Sequence, residues 1–387
     1  MKNIQLLNKI AKVGTDKLDA NLYNIGTDVA APEGIMVRSA NMLEMDFNPE
    51  LLAIARAGAG VNNIPLDKCT KEGIVVFNTP GANANGVKEL AVCALLLASR
   101  DIVGGIEWVG TLKDDADAAA KTVEKNKSKF AGTEIQGKTL GVIGLGAIGG
   151  LVANIAVRLG MKVVGCDPFL SVDAAWNLNH NITHAASYEE VYKVADYITI
   201  HVPATADTKG MFNADTMAIM KDGVKIINLS RDSLVKSADM IEALASGKVS
   251  RYVTDFATPE LIGVKGAILI PHLGASTEES EDNCAVMAAL QMDDYLQNGN
   301  IKNSVNFPAV SMPRSGDARI CVLHENVPGI LTKLTAVMAD EGLNIENMTN
   351  KSRGNAAYTI FDVTGAIPAA LEADLTALEA VLRVRVI

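Results

Sequence analysis

The chain has 387 residues, enough for two or three domains that each bury a core of their own. Forty-five acidic against thirty-five basic residues give a net charge of −10, which disfavours general nucleic-acid binding or a membrane-surface role because polyanions would be repelled. A small anionic substrate remains compatible with this charge, since a few Arg or Lys side chains can form a local positive pocket.

Cysteine usage and the N-terminal sequence predict the compartment. The five cysteines are scattered, with no CxxC pair, so we expect reduced thiols without disulfides or a metal site. The first fourteen residues, MKNIQLLNKIAKVG, lack the long apolar segment and cleavage site of a signal peptide. The apolar run at residues 90–98 is too short to cross a bilayer. These features predict a soluble, cytoplasmic protein.

Two series of alternating strand and helix patterns make up most of the chain. In residues 1–98, short apolar runs such as GIMV (34–37) and IVVF (74–77) end at Gly, Pro or Asn, which is typical of a parallel sheet covered by helices. Residues 106–133 resemble an exposed helical segment. The second series runs from Lys138 to about Pro271, and residues 283–297 form a helical pattern that could return the chain to the first domain.

The last seventy residues follow a different order. Residues 303–316 carry two prolines without periodicity and predict a linker. Beyond them the patterns read βαββαβ, the order of a compact ferredoxin-like module. We therefore predict an α/β protein with two Rossmann-like domains and a C-terminal module. The predicted domains are a substrate domain (1–98 and 285–312), a nucleotide domain (99–284) and the module (317–387).

A dinucleotide-binding motif opens the second series. Gly144, Gly146 and Gly149 form G-x-G-x-x-G after an apolar strand and before a helical run, and Asp167 ends the next strand. The glycines allow a tight turn, close approach to a pyrophosphate and close helix packing, while the helix N-terminus favours phosphate. Asp167 would accept hydrogen bonds from ribose hydroxyls and repel a 2′-phosphate. The motif predicts NAD.

Three further side chains follow strands of the same series. Arg231 follows VKIINLS, Glu260 follows RYVTDF and His272 follows AILIP. Ligands of open α/β sheets bind at the carboxyl ends of the strands, so these side chains can converge. An arginine fork suits a carboxylate, and a histidine whose pKa a carboxylate raises suits proton transfer to a 2-oxo acid.

With these segments in place, the sequence resembles the D-2-hydroxyacid dehydrogenase family through NLSRDSLV, TDFATPE, IPHLGAST and HVPATADTKGMF. The resemblance implies that Arg231 holds the 2-oxo acid, His272 is the acid/base and Glu260 pairs with His272. It assigns Asp255 to the nicotinamide carboxamide. The other implied cofactor contacts are Ala147, Ile148, Pro203, Thr208 and Leu229. Asp232 stands where the family usually has glycine, and we expect it to point outward.

The first domain resembles phosphoglycerate dehydrogenases of this family in MVRSANM, RAGAGVNNI and NTPGANANGVKEL. Arg38, Ser39 and Asn83 match positions that contact substrate, and the backbone N–H groups of Ala59 and Gly60 could cradle its carboxylate. The candidate cations for a phosphate are Arg38, Arg56, Lys88 and Lys127, the two lysines fitting a solvated helix face better. The expected substrate is 3-phosphoglycerate.

The C-terminal module resembles an ACT domain. The segment HENVPG and a later NI imply, by resemblance, that His324, Asn326 and Asn344 bind serine between two such domains. The alternative is a turn-and-cap motif used only for dimerisation. We expect a homodimer or homotetramer.

Three functions remain open at this stage. The first is NAD-dependent oxidation of 3-phosphoglycerate to 3-phosphohydroxypyruvate, the first step of serine biosynthesis, with feedback by serine. The second is a dehydrogenase for glycerate/hydroxypyruvate or 2-hydroxyglutarate. The third is a non-enzymatic NAD-sensing scaffold, against which the complete set of Arg231, Glu260 and His272 argues.

Overall fold

The computed structural model describes residues 1–113 and 116–387. The chain divides into two compact units, the first formed by Met1–Asn83 with Glu281–Ile387 and the second by Ala84–Ser280. Both units contain the parallel sheets that the sequence predicts.

The first unit opens with a five-stranded parallel sheet in the order β2-β1-β3-β4-β5. Its strands are β1 (Lys2–Leu7), β2 (Tyr23–Gly26), β3 (Gly34–Val37), β4 (Ala53–Arg56) and β5 (Val75–Phe77), and its helices are α1 (Lys12–Thr15) and α2 (Leu66–Lys71). The four residues of β3 are all buried because the strand is central and apolar on both faces.

The second unit holds a seven-stranded parallel sheet in the order β12-β11-β10-β9-β6-β7-β8. Its strands are β6 (Thr139–Ile143), β7 (Lys162–Cys166), β8 (Ile182–His184), β9 (Tyr197–Ile200), β10 (Val224–Asn228), β11 (Val249–Thr254) and β12 (Ala267–Leu269). Its helices are α3 (Ala84–Ser99), α4 (Ile102–Gly110), α5 (Ala116–Asn126), α6 (Ala147–Arg158), α7 (Val172–Trp176), α8 (Tyr188–Val194), α9 (Ala214–Ala218) and α10 (Ser237–Ser246).

The boundary between the units lies fifteen residues earlier than the predicted boundary at residue 98. Helix α3 buries Ala91, Ala94 and Leu95 in one core with residues of β6 and β11 of the second unit. Its small side chains permit close packing on α6. The sequence pattern marks the helix but does not reveal which sheet it covers.

Helix α11 (Glu278–Asn298) carries the chain back to the first unit, as its periodicity predicts. The C-terminal module follows with β13 (Ala318–Glu325), α12 (Ile330–Asp340), β14 (Asn344–Arg353), β15 (Ala356–Thr364), α13 (Leu371–Thr376) and β16 (Val381–Val386). Its antiparallel sheet has the order β14-β15-β13-β16, which is the predicted βαββαβ arrangement.

The two faces of the module's sheet cover different elements. Ile320 and Val322 of β13 face a core that includes residues of α12 and α13, whereas Cys321 and Leu323 belong to a core with Tyr295 of α11. Alternation along the strand explains this division. The module therefore shares a hydrophobic core with the rest of the first unit, in contrast to the separate domain that its size predicts.

Residues 303–316 differ from the predicted linker. The Asn306 side chain accepts from the Val76 backbone N–H at 2.9 Å and donates to the Ile74 carbonyl at 2.9 Å, and Phe307 is fully buried. Prolines prevent regular structure in this segment, but the side-chain hydrogen bonds and buried ring fix it against β5. A lack of periodicity therefore did not indicate mobility.

The module also caps the C-terminal end of α11. Arg385 donates to the carbonyls of Tyr295 (3.1 Å) and Leu296 (2.9 Å), and its guanidinium carbon lies 4.7 Å from the Tyr295 ring centre. Arg319 donates to the Asn298 carbonyl at 2.8 Å and pairs with Asp362 at 2.6 Å, both side chains being fully buried. Cations suit this end because the last helical carbonyls are unpaired and carry partial negative charge.

We predict that Arg385→Met destabilises the first unit by roughly 2–4 kcal/mol, because two buried carbonyls lose charged donors. Chemical denaturation monitored by far-UV circular dichroism measures this change in the free energy of unfolding. Lys333→Met, which removes an exposed cation of the same module, is the matched control. Equal stability of the two variants would contradict the capping role.

Candidate active site

The glycine loop between β6 and α6 has the conformation that a dinucleotide site requires. Gly144 adopts a φ of +88°, and a Cβ at this position would lie 2.6 Å from the His201 carbonyl oxygen. A Cβ on Gly149 would lie 1.9 Å from the Gly144 carbonyl oxygen, whereas one on Gly146 would meet no atom within 4 Å. The first and third glycines therefore permit packing, and the second leaves space over the helix N-terminus.

Two carboxylates of the second unit are suited to the remainder of NAD. Asp167 accepts from the backbone N–H of Leu145 (2.9 Å) and of Phe169 (2.9 Å), so both oxygens are oriented beside the glycine loop. Asp255 is buried, and its Oδ1 has no hydrogen-bond partner among the described residues. Burial raises the pKa of Asp255. An unpaired buried acceptor fits the amide donor of the nicotinamide carboxamide.

The remaining predicted cofactor residues lie on the same unit. Ala147 and Ile148 form the first turn of α6, and Leu229 is buried directly after β10. The hydroxyl of Thr208 donates to the Pro203 carbonyl at 2.6 Å and closes the loop after β9. Thr208 therefore stabilises this loop through its own hydroxyl, a contact that the resemblance did not imply.

The turn that carries Arg231 is built by a buried asparagine. Asn228, the last residue of β10, donates to the Arg231 carbonyl at 2.8 Å and accepts from the Ser230 N–H at 3.1 Å. Ser230 is fixed in turn by its hydroxyl, which donates to the Ile200 carbonyl at 2.7 Å. The guanidinium itself is exposed and thus available to an anion.

The turn that carries His272 is held by Asp255. The backbone N–H of His272 donates to the Asp255 carbonyl at 2.9 Å, and the N–H of Gly274 donates to its carboxylate at 3.1 Å. His272 has a φ of +41°, a left-handed conformation that is unfavourable for a residue with a side chain. The two hydrogen bonds offset this strain and leave the imidazole exposed.

Phe256 connects the two predicted catalytic groups. Its ring centre lies 4.8 Å from the imidazole centre of His272 and 6.0 Å from the guanidinium carbon of Arg231. Phe256 and His272 line an open depression of about 490 Å³, together with Asp232, Asp255 and Thr258. The structure therefore brings Arg231 and His272 to one face of the second unit. No sequence motif indicated a role for Phe256, although it follows Asp255 directly.

Two predictions around the depression have different outcomes. Asp232 is exposed, as expected, but it also lines the depression instead of pointing away from it. Glu260 lies in the turn Pro259–Leu261 and makes no ion pair with His272 within 4.0 Å in the described chain. The pairing of Glu260 with His272 thus stays a prediction for another conformation of that turn.

A second histidine, His201, follows β9 in the same sheet. Burial lowers the pKa of His201 to about 4, so its imidazole is neutral near pH 7. Its Nε2 lies 2.9 Å from the Thr199 hydroxyl, and its Nδ1 is buried without a partner. The exposed His272, rather than His201, is therefore suited to exchange a proton with a substrate.

The carboxyl edge of the first unit's sheet presents backbone donors and cations. Asn8 follows β1, and its side-chain oxygen accepts from the N–H groups of Ser39 (3.1 Å) and Ala40 (2.5 Å). Asn78, after β5, donates to the Ala59 carbonyl at 2.7 Å. These bonds fix the two loops that follow β3 and β4, where substrate contacts were predicted at Ser39, Ala59 and Gly60.

Arg56, the last residue of β4, folds over the loop that follows it. A Cβ on Gly58 would lie 1.2 Å from an Arg56 guanidinium nitrogen, so only glycine leaves room for this arrangement. The Nε of Arg56 is buried and has no partner in the described part of the chain. Burial lowers the pKa of Arg56, and the positive charge of Arg38 lowers it further. An unpaired buried guanidinium N–H is a donor suited to a bound anion.

The other predicted cations are engaged locally. Arg38 pairs with Glu281 at 2.5 Å, Lys88 bonds Asn85 at 2.5 Å and Lys127 pairs with Glu124. Lys127 is 64% exposed, which agrees with the solvated helix face that the sequence favoured, whereas the Lys88 side chain is only 22% exposed. Asn83 is half-buried immediately before α3.

The predicted effector residues lie at different depths of the C-terminal module. His324 is buried, with Nδ1 2.8 Å from the Glu325 carbonyl and Nε2 2.8 Å from the Thr359 hydroxyl. Asn326 and Asn344 are exposed and donate to the Gly354 carbonyl (3.2 Å) and the Glu346 carboxylate (2.7 Å). Only the two asparagines are therefore accessible in this conformation.

Two features are absent from residues 1–113 and 116–387. None of the helices in these ranges combines the length and apolar character needed to span a bilayer. No cluster of three metal-ligating side chains occurs within the same ranges.

Comparison with known proteins identifies the lineage of this fold. Residues 98–274 match the family described as D-isomer specific 2-hydroxyacid dehydrogenase, NAD binding domain. D-3-phosphoglycerate dehydrogenase of Escherichia coli strain K12 is 32% identical over 81% of this chain and 75% of its own length. The chain belongs to the D-2-hydroxyacid dehydrogenase family.

The matched family domain is an NAD-binding domain, in agreement with the glycine loop and Asp167. The Synechocystis D-3-phosphoglycerate dehydrogenase is 33% identical over 80% of this chain and 54% of its own length. The chain spans about half the length of this relative and of the rat relative, which it covers over 51%. The NAD⁺-bound 3-phosphoglycerate dehydrogenase of Entamoeba histolytica has a TM-score of 0.61 at 26% identity, over 79% of this chain and 98% of that one.

We predict that His272→Ala lowers turnover of a 2-hydroxy acid by about 10²-fold or more, as expected for a lost acid/base group. NAD affinity, measured by fluorescence titration, should change little because the glycine loop and Asp167 are untouched. His184→Ala, at an exposed histidine of β8, is the control. Turnover within a few-fold of the unmodified protein would exclude the assigned role.

Proposed function

We propose that the chain oxidises 3-phosphoglycerate to 3-phosphohydroxypyruvate with NAD. The observation that supports this substrate most directly is the Arg56 guanidinium, whose buried Nε has no protein acceptor in the described chain. A substrate with a phosphate supplies such an acceptor. Relatives of this chain that carry the name D-3-phosphoglycerate dehydrogenase support the same choice.

Each unit carries part of the chemistry that this substrate needs. In the second unit, Arg231 would bind the C1 carboxylate, and His272 would accept the C2 hydroxyl proton as the hydride leaves C2. NAD, when bound, supplies the acceptor for that hydride. In the first unit, the N–H groups of the loop at Ala59 and Gly60 and the cations Arg38 and Arg56 provide anion binding.

Arg56→Met tests the proposed phosphate contact. We expect the variant to raise the KM for 3-phosphoglycerate by about tenfold or more, because a buried charged hydrogen bond to the phosphate is lost. The KM for D-glycerate, which lacks the phosphate, should change far less. Steady-state rates of NADH formation with both acids provide the measurement. An equal change for both acids would remove the argument for a phosphorylated substrate.

We further propose that serine regulates the enzyme through the C-terminal module, which resembles an ACT domain. Asn326 and Asn344 are exposed amides that could bind a small amino acid, while the bonds of His324 to Thr359 and Glu325 would have to open for it to take part. A role restricted to dimerisation is the alternative outcome.

Asn344→Ala should relieve inhibition by serine without lowering turnover, because the residue is exposed and distant in sequence from the catalytic segments. Initial rates over a serine titration measure the effect. Asn347→Ala on the same strand is the matched control, since it removes another exposed amide. Inhibition that is unchanged in Asn344→Ala would assign the effector to another site.

A further inference from the structure

The two arginines at the carboxyl edge of the first sheet differ in their partners. Arg38 follows β3 and is paired with Glu281 at 2.5 Å. Arg56 ends the neighbouring β4; its Nη1 donates to the Ala57 carbonyl at 3.3 Å, it makes no ion pair in the described chain, and its Nε has no partner there. Side chains of the Arg38–Glu281 pair remain 44% and 43% exposed, so an incoming ligand can reach both groups.

Glu281 owes its position to α11 rather than to the sheet. It is the first residue after the chain returns to the first unit, in the opening turn of that helix. Farther along the helix, Gln291 donates to the Asn78 carbonyl at 3.1 Å, and the module's arginines hold the helix end. The carboxylate is thus held on a fixed helix beside the cation that a substrate anion would need.

We propose that Glu281 is a specificity-determining residue that competes with the substrate phosphate for Arg38. This inference rests on the proposed function. A phosphate dianion can accept from the Arg56 guanidinium, whose Nε lacks a protein acceptor in the described chain, and can also displace the singly charged Glu281 from Arg38. An acid without a phosphate cannot engage both cations in this way and leaves the Arg38–Glu281 pair closed. The pair thereby weakens binding of a phosphorylated acid and leaves binding of an acid without a phosphate almost unchanged, so Glu281 limits how strongly the site discriminates between the two.

The expected effect is moderate because both members of the pair are partly exposed. Glu281→Gln should lower the KM for 3-phosphoglycerate by about three- to fivefold, the range that corresponds to a partly exposed ion pair. The KM for D-glycerate should change by less than about twofold on the same grounds. A gain in affinity cannot arise from misfolding, so this readout separates competition from a structural role.

Two controls accompany the variant. Asp282→Asn removes the same charge at the next residue, whose exposed side chain makes no ion pair in the described chain, and it should leave both KM values unchanged. In an Arg38→Met background, Glu281→Gln should have no further effect on KM, because the competing cation is absent. A KM for 3-phosphoglycerate that rises or stays constant in Glu281→Gln would overturn the proposal. A decrease that persists without Arg38 would overturn it as well.

Binding of inorganic phosphate distinguishes this inference from the proposed function. Calorimetric titration of inorganic phosphate should give a lower Kd for Glu281→Gln than for the unmodified protein, whatever acid the enzyme oxidises. Tighter phosphate binding without oxidation of 3-phosphoglycerate would retain the competition and reject the substrate. Oxidation of 3-phosphoglycerate with unchanged phosphate binding would retain the substrate and reject the competition.

Discussion

The functional groups of both units depend on one constraint, that parallel strands end at a common edge of their sheet. In the second unit, β10 and β11 are adjacent and are followed by Arg231 and Asp255, while His272 lies in the segment after β12. In the first unit, β3 and β4 deliver Arg38 and Arg56 in the same way. The loops at these edges need few residues of their own, because the strand register already determines which side chains are neighbours.

Buried polar side chains fix the conformation of the turns that carry these residues. Asn228 shapes the Arg231 turn, and Asp255 holds the strained His272 through its carbonyl and carboxylate. Asp255 retains one unpaired oxygen for a ligand donor. A single carboxyl group therefore combines a structural role with a predicted contact to the cofactor, which makes its position sensitive to substitution.

Much of the fold was predictable because its signals are local. The apolar segment GIMV became β3 with the predicted bounds, and the glycine motif lies between β6 and α6 as expected. The family resemblance led to Arg231 and His272. Contacts distant in sequence were not predictable: Asn306 bonds β5, α3 packs in the second unit, and Arg385 caps α11 from ninety residues away. Each of these contacts joins segments that are far apart in the sequence, and no local pattern specifies which segments meet.

Prediction of the candidate site from the sequence was limited in the same way. Arg38 and Arg56 were both candidate cations in the sequence, but only the structure distinguishes the arginine paired with Glu281 from the one with an unpaired Nε. The motifs also did not indicate a role for Phe256, because its position between the His272 ring and the Arg231 guanidinium is evident only from the structure.

We propose that Arg38 and Arg56 select a phosphorylated 2-hydroxy acid for NAD-dependent oxidation. The most direct measurement compares kcat/KM of the unmodified protein for 3-phosphoglycerate, D-glycerate and D-2-hydroxyglutarate, with NAD as oxidant. The account predicts that 3-phosphoglycerate exceeds the other two by at least about tenfold, which corresponds to roughly 1.4 kcal/mol of additional transition-state binding. A value for either other acid that equals or exceeds it would contradict the account.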